Sequence, residues 1–416
     1  MATLERPKLR PLSARRHDHE GQAFVALEDP LGVAEAPVFV PLEGFEWVVR
    51  NFDGNNTLLD IQAHVLRNTG RLIASSDLET LVVQLDRAMM LDGPTFEAFH
   101  DDYKSQGIRP AAHAGASYAG TERALRAQLA RFFVDPQGAG QPNGPSAFEK
   151  NGEKILRAVI SPHIDFERGG TVYTWAYKEL VEKTKADIFV IFGVAHQYCR
   201  RRFALTRKDF ETPLGLTKTE RAYVDRLAQL AGGDLFEDEL AHRTEHSIEF
   251  QVVFLQYLLG ETRDFSIVPI LAGSFQDLME AGRSPIDDEE VKRFVEAAIK
   301  VEELYPGRVA YIGGIDLGHI GPDFGDPSLV EDPILARLRS FDAGMIERVS
   351  QGDPEGWFAD AGAVNNQWRV CGLAATYTLL KTLGPVKGRL LRYDQAVNPE
   401  RTCCVSFAGM ALDAAT

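Results

Sequence analysis

An α/β fold with a largely parallel sheet flanked by helices, preceded by a small winged-helix-like α+β domain, is what this sequence predicts. Three observations carry the prediction. From about residue 155 onward, apolar runs of strand length alternate with amphipathic stretches of helix length, as in a parallel sheet. Before residue 105 the apolar runs are shorter, broken by Pro30, Pro37 and Pro41, and followed by helix-capping signals. Three of the later strands end in polar turns containing histidine, the position at which open α/β sheets bind ligands.

In chain order, Phe24 to Leu27 and Val38 to Val40 read as short strands, and Leu42 to Phe52 as an amphipathic helix stopped by Asp53-Gly54. Thr57 with Asp60, and Ser76 with Glu79, fit the Ser/Thr-x-x-acid capping box and open two further helices. Leu78, Leu81, Val82, Leu85 and Met89 repeat at helical spacing along the second. The Gly/Pro-rich stretch from Asp135 to Glu153 is, on composition, the natural linker. Beyond it, Ile155 to Ile160, Asp187 to Phe192, Phe265 to Leu271 and Arg308 to Ile312 read as buried strands. Helices are expected around Thr171 to Glu182, Thr219 to Leu230, Glu245 to Leu259, Glu289 to Leu304, Pro333 to Val349 and Cys371 to Leu383, before two final strands.

Composition narrows the function. The 416 residues carry a net charge of −15, which argues against nucleic acid and anionic membranes as partners. The basic runs are short: Arg6, Lys8, Arg10, Arg15 and Arg16 in an N-terminal arm, and Arg200 to Arg202, both read as solvated surface. No apolar stretch approaches a membrane span and no signal-peptide core is present, so a cytoplasmic protein is expected. Four cysteines without a C-x-x-C exclude a disulfide scaffold and a zinc ribbon; Cys403 and Cys404 are expected to be buried on opposite faces of a strand.

The chemistry concentrates in a few places. Ser161-Pro162-His163, Gly193 to His196 and Gly313 to His319, which contains Asp316, each follow a strand. Three histidines arriving at one sheet edge are hard to explain by packing. Cys371 opens a helix after the polar run Asn365, Asn366, Gln367; a helix N-terminus favours thiolate, which suits a nucleophile, a metal ligand or a small packed thiol. His242 to His246 fits the H-x-x-E-H pattern of inverted zinc peptidases. Thr244 is a good N-cap, however, which would leave His242 outside the helix and the two histidines on different faces. Gly313, Gly314, Gly318 and Gly321 match no nucleotide-loop spacing and are expected to permit a tight backbone path around Asp316 and His319.

At these residues a resemblance becomes specific. From about residue 108 to 416 the chain resembles the Memo family, relatives of the class III extradiol dioxygenases. The markers are Ala112 to Gly115 with Tyr118, Ser161 to His163, Gly193 to His196, Glu245 to Glu249, Ile315 to His319 and Val370 to Gly372. The resemblance puts the domain boundary at 107/108 and makes 135–153 an internal loop. It implies that His163, His196 and Cys371 bind a metal, with Asp316, His319, His246 and Glu245 around it as catalytic groups. Fe(II) is the expected ion, with Cu or Zn as alternatives, since a thiolate shifts preference toward Cu(I) or Zn. Extradiol relatives are expected to carry a carboxylate in place of Cys371. Ile164-Asp165-Phe166 departs from the family's common Ala-Gly-Tyr, and Asp165 is expected to add a carboxylate near the metal.

Residues 1–107 resemble the PqqD-like domains that hold leader peptides, through the helix before Asp53-Gly54, the helix from Leu58 and the last helix ending in Met90 to Gly93; a generic helical dimerisation module fits the same pieces. The Memo-family resemblance implies a radical-SAM enzyme and a small partner protein as associates. With a net charge of −7, this acidic unit would suit a basic peptide. Three functions follow as expectations: a mononuclear iron or copper redox or dioxygenase-type enzyme, a non-catalytic adaptor, or a hydrolase using zinc at His242 and His246 or Cys371 with His319 and Asp316.

Overall fold

The computed structural model describes residues 4–143 and 156–415. Its chain divides into two compact units, Met1–Gln106 and Gly107–Thr416. Residues 144–155, which include most of the Gly/Pro-rich stretch, lie outside the described residues.

The first unit is a three-stranded antiparallel sheet, β1 (Ser13–His19), β2 (Gln22–Glu28) and β3 (Val38–Pro41), in that order, with helices α1 (Leu42–Trp47), α2 (Leu58–Thr69), α3 (Ser75–Arg87) and α4 (Pro94–Ser105). Val25, Leu27, Ile61, Val65, Leu78, Val82 and Leu85 make its core. The Thr57–Asp60 capping box is present: Asp60 N–H donates to Thr57 Oγ1 and Thr57 N–H to Asp60 Oδ2. The Ser76–Glu79 box is not. Gln62 donates its amide to Ile73 O and Ser75 Oγ, and α3 starts two residues early, behind Ala74, taking Ser76 into its first turn. The basic arm is likewise not all solvated surface. Arg10 is buried in a bidentate pair with Asp29, at 3.0 and 3.1 Å, with its guanidinium 3.9 Å from the Phe96 ring centroid. Arg15 and Arg16 lie on β1, an exposed strand that the sequence pattern does not announce because no residue of it is buried.

The second unit runs through β4 (Ile108–Arg109), α5 (Glu122–Val134), β5 (Leu156–Ser161), α6 (Phe166–Lys183) and β6 (Ile188–Val194). Three short strands follow, β7 (Phe203–Leu205), β8 (Asp209–Thr212) and β9 (Gly215–Thr219), then α7 (Arg221–Ala231), α8 (His246–Leu259) and β10 (Ser266–Ala272). The remainder is α9 (Gln276–Glu280), α10 (Glu289–Glu302), β11 (Val309–Gly314), β12 (His319–Ile320), α11 (Asp332–Gln351), α12 (Pro354–Ala363), α13 (Leu373–Leu383), β13 (Val386–Val397) and β14 (Cys404–Ala414). Among the described residues, these strands form one sheet in the order β12-β14-β5-β11-β6-β10-β9-β8-β4, with β13 beside β14 and β7 beside β10. Its centre, β5-β11-β6-β10, is parallel, and β14 runs antiparallel against β5.

β6 is buried along its whole length, which is why it reads as one continuous apolar run. Ile188, Val190 and Phe192 pack with Phe294 of α10 and Leu379 of α13, while Phe189 and Ile191 pack with Tyr177 of α6 and Phe254 of α8. Cys403 and Cys404 part as expected, one beside Phe407 and Ile164, the other beside Trp368 and Ile320. No helix of the described residues is long and apolar enough to cross a membrane. The Arg200–Arg202 triplet is ion-paired rather than free: Arg202 reaches Asp277 and Asp288, Arg201 Glu290, and Arg200 Glu237.

Candidate metal centre

The parallel strands deliver their carboxyl ends to one place. His163 stands two residues beyond β5, His196 two beyond β6, and Asp316 two beyond β11. The N-terminus of α8 adds His246. Close approach of α8 depends on two glycines at the strand ends. A Cβ on Gly314 would lie 2.4 Å from Ser247 O, and one on Gly193 2.5 Å from Ser247 Oγ. With hydrogen there instead, Ser247 Oγ accepts Val194 N–H at 3.0 Å and Gln251 donates to Pro162 O at 2.8 Å, tying α8 to both histidine-bearing turns.

The result is a cluster of three imidazoles, His163, His196 and His246, with ligand atoms all within 4.8 Å of one another. His196 and His246 stack at 4.7 Å between centroids, and His163 meets both edge-on at 5.0 and 5.1 Å. Each Nδ1 is engaged. His163 Nδ1 donates to Gly314 O at 2.8 Å, and His196 Nδ1 to both Glu245 oxygens at 3.1 Å; His246 Nδ1 lies 3.3 Å from Glu245 Oε1. Nδ1 engagement of this kind is how outer carboxylates and carbonyls orient metal-binding histidines. Cys371, just ahead of the Gly372 cap of α13, places Sγ 3.3 Å from His163 Nε2.

Charge follows geometry. Burial alone would raise the Cys371 thiol, but His163 and His196 outweigh it and hold it at about 7. Burial opposes a charge on His196, yet Glu245 and Cys371 lift its pKa well above the ordinary value. His246 is driven well below it, by burial and by three neighbouring imidazoles, against the pull of Glu245. The Glu245 carboxyl, which burial would raise, is held far below its usual range by His196, His246 and the Ser247 N–H. The candidate donor set is therefore three imidazoles, of which His196 is biased toward its charged form and His246 toward its neutral one, with a thiol lowered to about 7 beside them; any protons on the ligand atoms would leave when an ion binds.

Asp316 and His319 form the adjoining layer. Asp316 is fully buried, accepts His163 N–H at 2.9 Å, and stands 3.7 Å from His163 Nε2. Burial pushes its carboxyl up to about 6, against the pull of His319 and His163. His319 directs Nδ1 at Leu317 O and Arg369 O, both at 3.1 Å, and burial lowers its pKa despite Asp316. The imidazoles engaging Cys371 are thus His163 and His196; the Cys371–His319 pairing expected of a cysteine hydrolase is not among the contacts of the described residues. Glu245 acts as the N-cap of α8, accepting Ser247 N–H at 2.9 Å, and as the support of two rings.

Two expectations are corrected. The N-cap is Glu245 rather than Thr244, whose carbonyl instead contacts His113 Nε2 at 2.8 Å. His242 sits in the preceding turn, buried, with Nε2 on Ala204 O at 3.0 Å and its pKa pushed down to about 4 by burial, so it shares nothing with His246. Asp165 does not enter the cluster: it caps α6, and its carboxylate is taken by Arg168 at 2.5 Å.

Sequence reasoning missed Arg109. Its guanidinium forms a fully buried ion pair with Glu249, one turn along α8 from His246, and donates to Glu245 O at 2.8 Å. Glu249 also accepts the N–H groups of Ala112 and His113 and the Tyr118 hydroxyl. The segment is thereby pressed onto α8, with His113 edge-on to His246 at 5.6 Å. A charged residue followed by Pro110 gave no local sign of burial.

The model of the Memo-like protein family matches residues 109–411. The chain belongs to the Memo family. Among relatives, a MEMO1 family protein of Aquifex aeolicus is 28% identical over 398 residues, 94% of this chain and 96% of its own. One of Thermus thermophilus is 30% identical over 339 residues, covering 81% and 93%. The Pyrococcus furiosus relative is 29% identical over 316 residues, 73% of this chain but 99% of its own. That archaeal protein therefore has no counterpart to about a quarter of this chain, whereas the Aquifex relative spans nearly all of it.

Proposed function

We propose that this Memo-family protein holds one redox-active first-row ion, iron first and copper second, and acts as a dioxygenase-type or other oxidoreductase on a phenolic or peptide-borne group. The supporting observation is three imidazoles with mutually close ligand atoms and engaged Nδ1 atoms, beside an acidified thiol. Imidazoles fit Fe, Cu and Zn alike, and the thiol adds affinity for the softer ions. When bound, such an ion would supply one-electron and O₂ chemistry. The chain's own residues do the rest. Glu245 orients His196 and His246, Gly314 O orients His163, and Asp316, its carboxyl raised by burial to about 6, can exchange a proton beside His163. Cys371 and His196 both open onto a pocket of about 280 Å³, where a substrate group can reach them.

Element analysis after anaerobic purification tests this reading. One equivalent of Fe or Cu is expected in the native protein, with strong loss in His163→Ala and His246→Ala. Full-length protein without stoichiometric Fe or Cu, unchanged by Cys371→Ser, overturns it; stoichiometric zinc alone transfers the site to hydrolytic chemistry.

The first unit supports an additional adaptor role. It is acidic, and it lies outside residues 109–411, which the family model matches. As a PqqD-like module it would present a basic peptide, or dock a radical-SAM enzyme with its small partner protein. Deleting residues 1–106 should abolish peptide or partner capture and leave metal content intact; capture that survives the deletion refutes the role.

A further inference from the structure

The polar run Asn365-Asn366-Gln367 has no part in the metal cluster, yet its backbone is held in a costly conformation. Asn365, Asn366 and Arg369 all have left-handed φ, at 48°, 46° and 51°. Non-glycine residues in that region cost free energy and persist where surrounding contacts enforce them. Here Arg369 N–H bonds Asn366 O at 2.8 Å, and the Arg369 guanidinium is anchored on Asp326 and His319 O. The enforced turn has one consequence for chemistry. Asn366 Oδ1 accepts Val370 N–H at 2.9 Å, directly before Cys371. The side chain is thereby oriented, and its Nδ2 donors have no hydrogen-bond partner among the described residues.

Asn366 lines two pockets at once. The smaller, of about 280 Å³, has Cys371 and His196 at one side and Val194, Phe275, Leu373 and Ala374 as apolar wall. The larger, of about 780 Å³, is floored by Ile320, Val330, Ile334 and Trp368 and lined by Glu331, by Asp326, which Arg369 pairs, and by Arg337, whose guanidinium lies 5.8 Å from the Trp368 centroid and has no carboxylate partner among the described residues. A free amide donor at the junction, apolar surface on both sides and a cation beyond it define a ligand by its chemistry.

We propose that Asn366 is a substrate-binding residue, whose Nδ2 takes an acceptor oxygen of a ligand with a one-ring apolar body and a carboxylate or carbonyl group, lying across the two pockets. The assignment rests on the metal cluster being the reactive centre only in calling the ligand a substrate. The site itself is defined by residues 366–371 and the two pockets.

The backbone dictates the variants. Asp and Gly both tolerate left-handed φ, so Asn366→Asp and Asn366→Gly keep the turn, and Asp also keeps the Val370 bond. Asp turns the ligand-facing donor into an acceptor; Gly deletes it. The probes are 3-phenylpropionate and 3-phenylpropylamine, titrated by calorimetry into full-length protein, with metal content measured on each sample. Native protein should prefer the carboxylate. In Asn366→Gly its dissociation constant should rise about tenfold, the size expected when a hydrogen bond to a charged group is lost. In Asn366→Asp the preference should invert toward the amine, a reversal that general destabilisation does not produce. Native protein that binds neither probe, or variants with unchanged affinity and order of preference, overturns the proposal. Metal content separates the two readings. Metal-free protein showing the inversion refutes the metal centre and spares Asn366, and metal-loaded protein indifferent to residue 366 does the converse.

Discussion

Replacing Glu249 by Met removes the acceptor on which Arg109, Ala112 N–H, His113 N–H and the Tyr118 hydroxyl converge. Both side chains of the Arg109–Glu249 pair are 0% exposed. Breaking such a pair from one side costs about 3–5 kcal/mol, because the surviving charge stays buried without its counter-charge. At roughly 2.1 cal/mol/K of unfolding entropy per residue, a unit of about 310 residues loses ~6 °C in Tm for ~4 kcal/mol. Glu249→Gln keeps the shape and one acceptor and should fall between the two. Burial would raise the Glu249 carboxyl, but Arg109 and Tyr118 hold it below 4.5. Its folded pKa is thus depressed, so its stabilisation is complete above pH 4.5 and disappears as pH falls through the folded value. Scanning calorimetry of the larger unit should show the full Tm gap between native and Met proteins near neutrality and a closing gap in acid. His113 loses its hold beside His246, so metal affinity should weaken about tenfold, as for other outer-layer contacts. A Tm loss under about 2 °C, or a gap that widens on acidification, refutes the clamp.

Other consequences follow from the same contacts. In metal-free protein, iodoacetamide should label Cys371 with a rate rising through about pH 7, while Cys199 and Cys404, pushed up to about 12 by burial, stay unlabelled. Metal loading should suppress the labelling, read residue by residue by mass spectrometry; uniform labelling of all three would contradict the acidified thiol. Gly314→Ala puts a Cβ 2.4 Å from Ser247 O, an overpacking worth about 1–3 kcal/mol that should displace α8 and yield folded, metal-poor protein by element analysis and circular dichroism. Glu245→Gln removes the charge behind two rings of the proposed centre and should weaken metal binding about 10–100-fold in a competition titration, against no change if the rings need no support.

The parallel sheet was legible because β5, β6, β10 and β11 are apolar through almost their whole length, and such runs have few alternative destinies. β7, β8 and β9 were not, since strands of three to five residues carry too little periodicity to be seen. α12 was not anticipated either; it starts behind Asp353, whose carboxylate accepts Gly356 N–H at 2.9 Å. At the site, His163 and His196 were legible from their place after strands. The nearness of His246 was legible only as proximity, and Asp165 was misjudged because a carboxylate near a metal motif and a helix N-cap look alike in one dimension. Arg10 and Arg109 were invisible for a shared reason: a buried guanidinium is recognised by its partner, and Asp29 and Glu249 lie 19 and 140 residues away.

The motif that reads as an inverted zinc peptidase in fact runs into five residues at the start of α8, its N-cap included, that divide separate tasks. Glu245 caps the helix and supports His196, His246 joins the imidazoles, and Ser247 holds the end of β6. Glu249 anchors the segment from Arg109, and Gln251 grips Pro162 beside His163. Each polar side chain thus fixes a different stretch of chain to one helical turn and a half. Neither β5 nor β6 alone can set the separation of His163 and His196 to the accuracy a metal ion requires. α8 sets it by bonding both turns at once, and Gly193 and Gly314 let it come close enough to do so. On this argument the E-H-S-I-E-F-Q run is the assembly element of the centre. The histidine at 242, which completes the peptidase pattern on paper, is a buried neutral ring that happens to precede it.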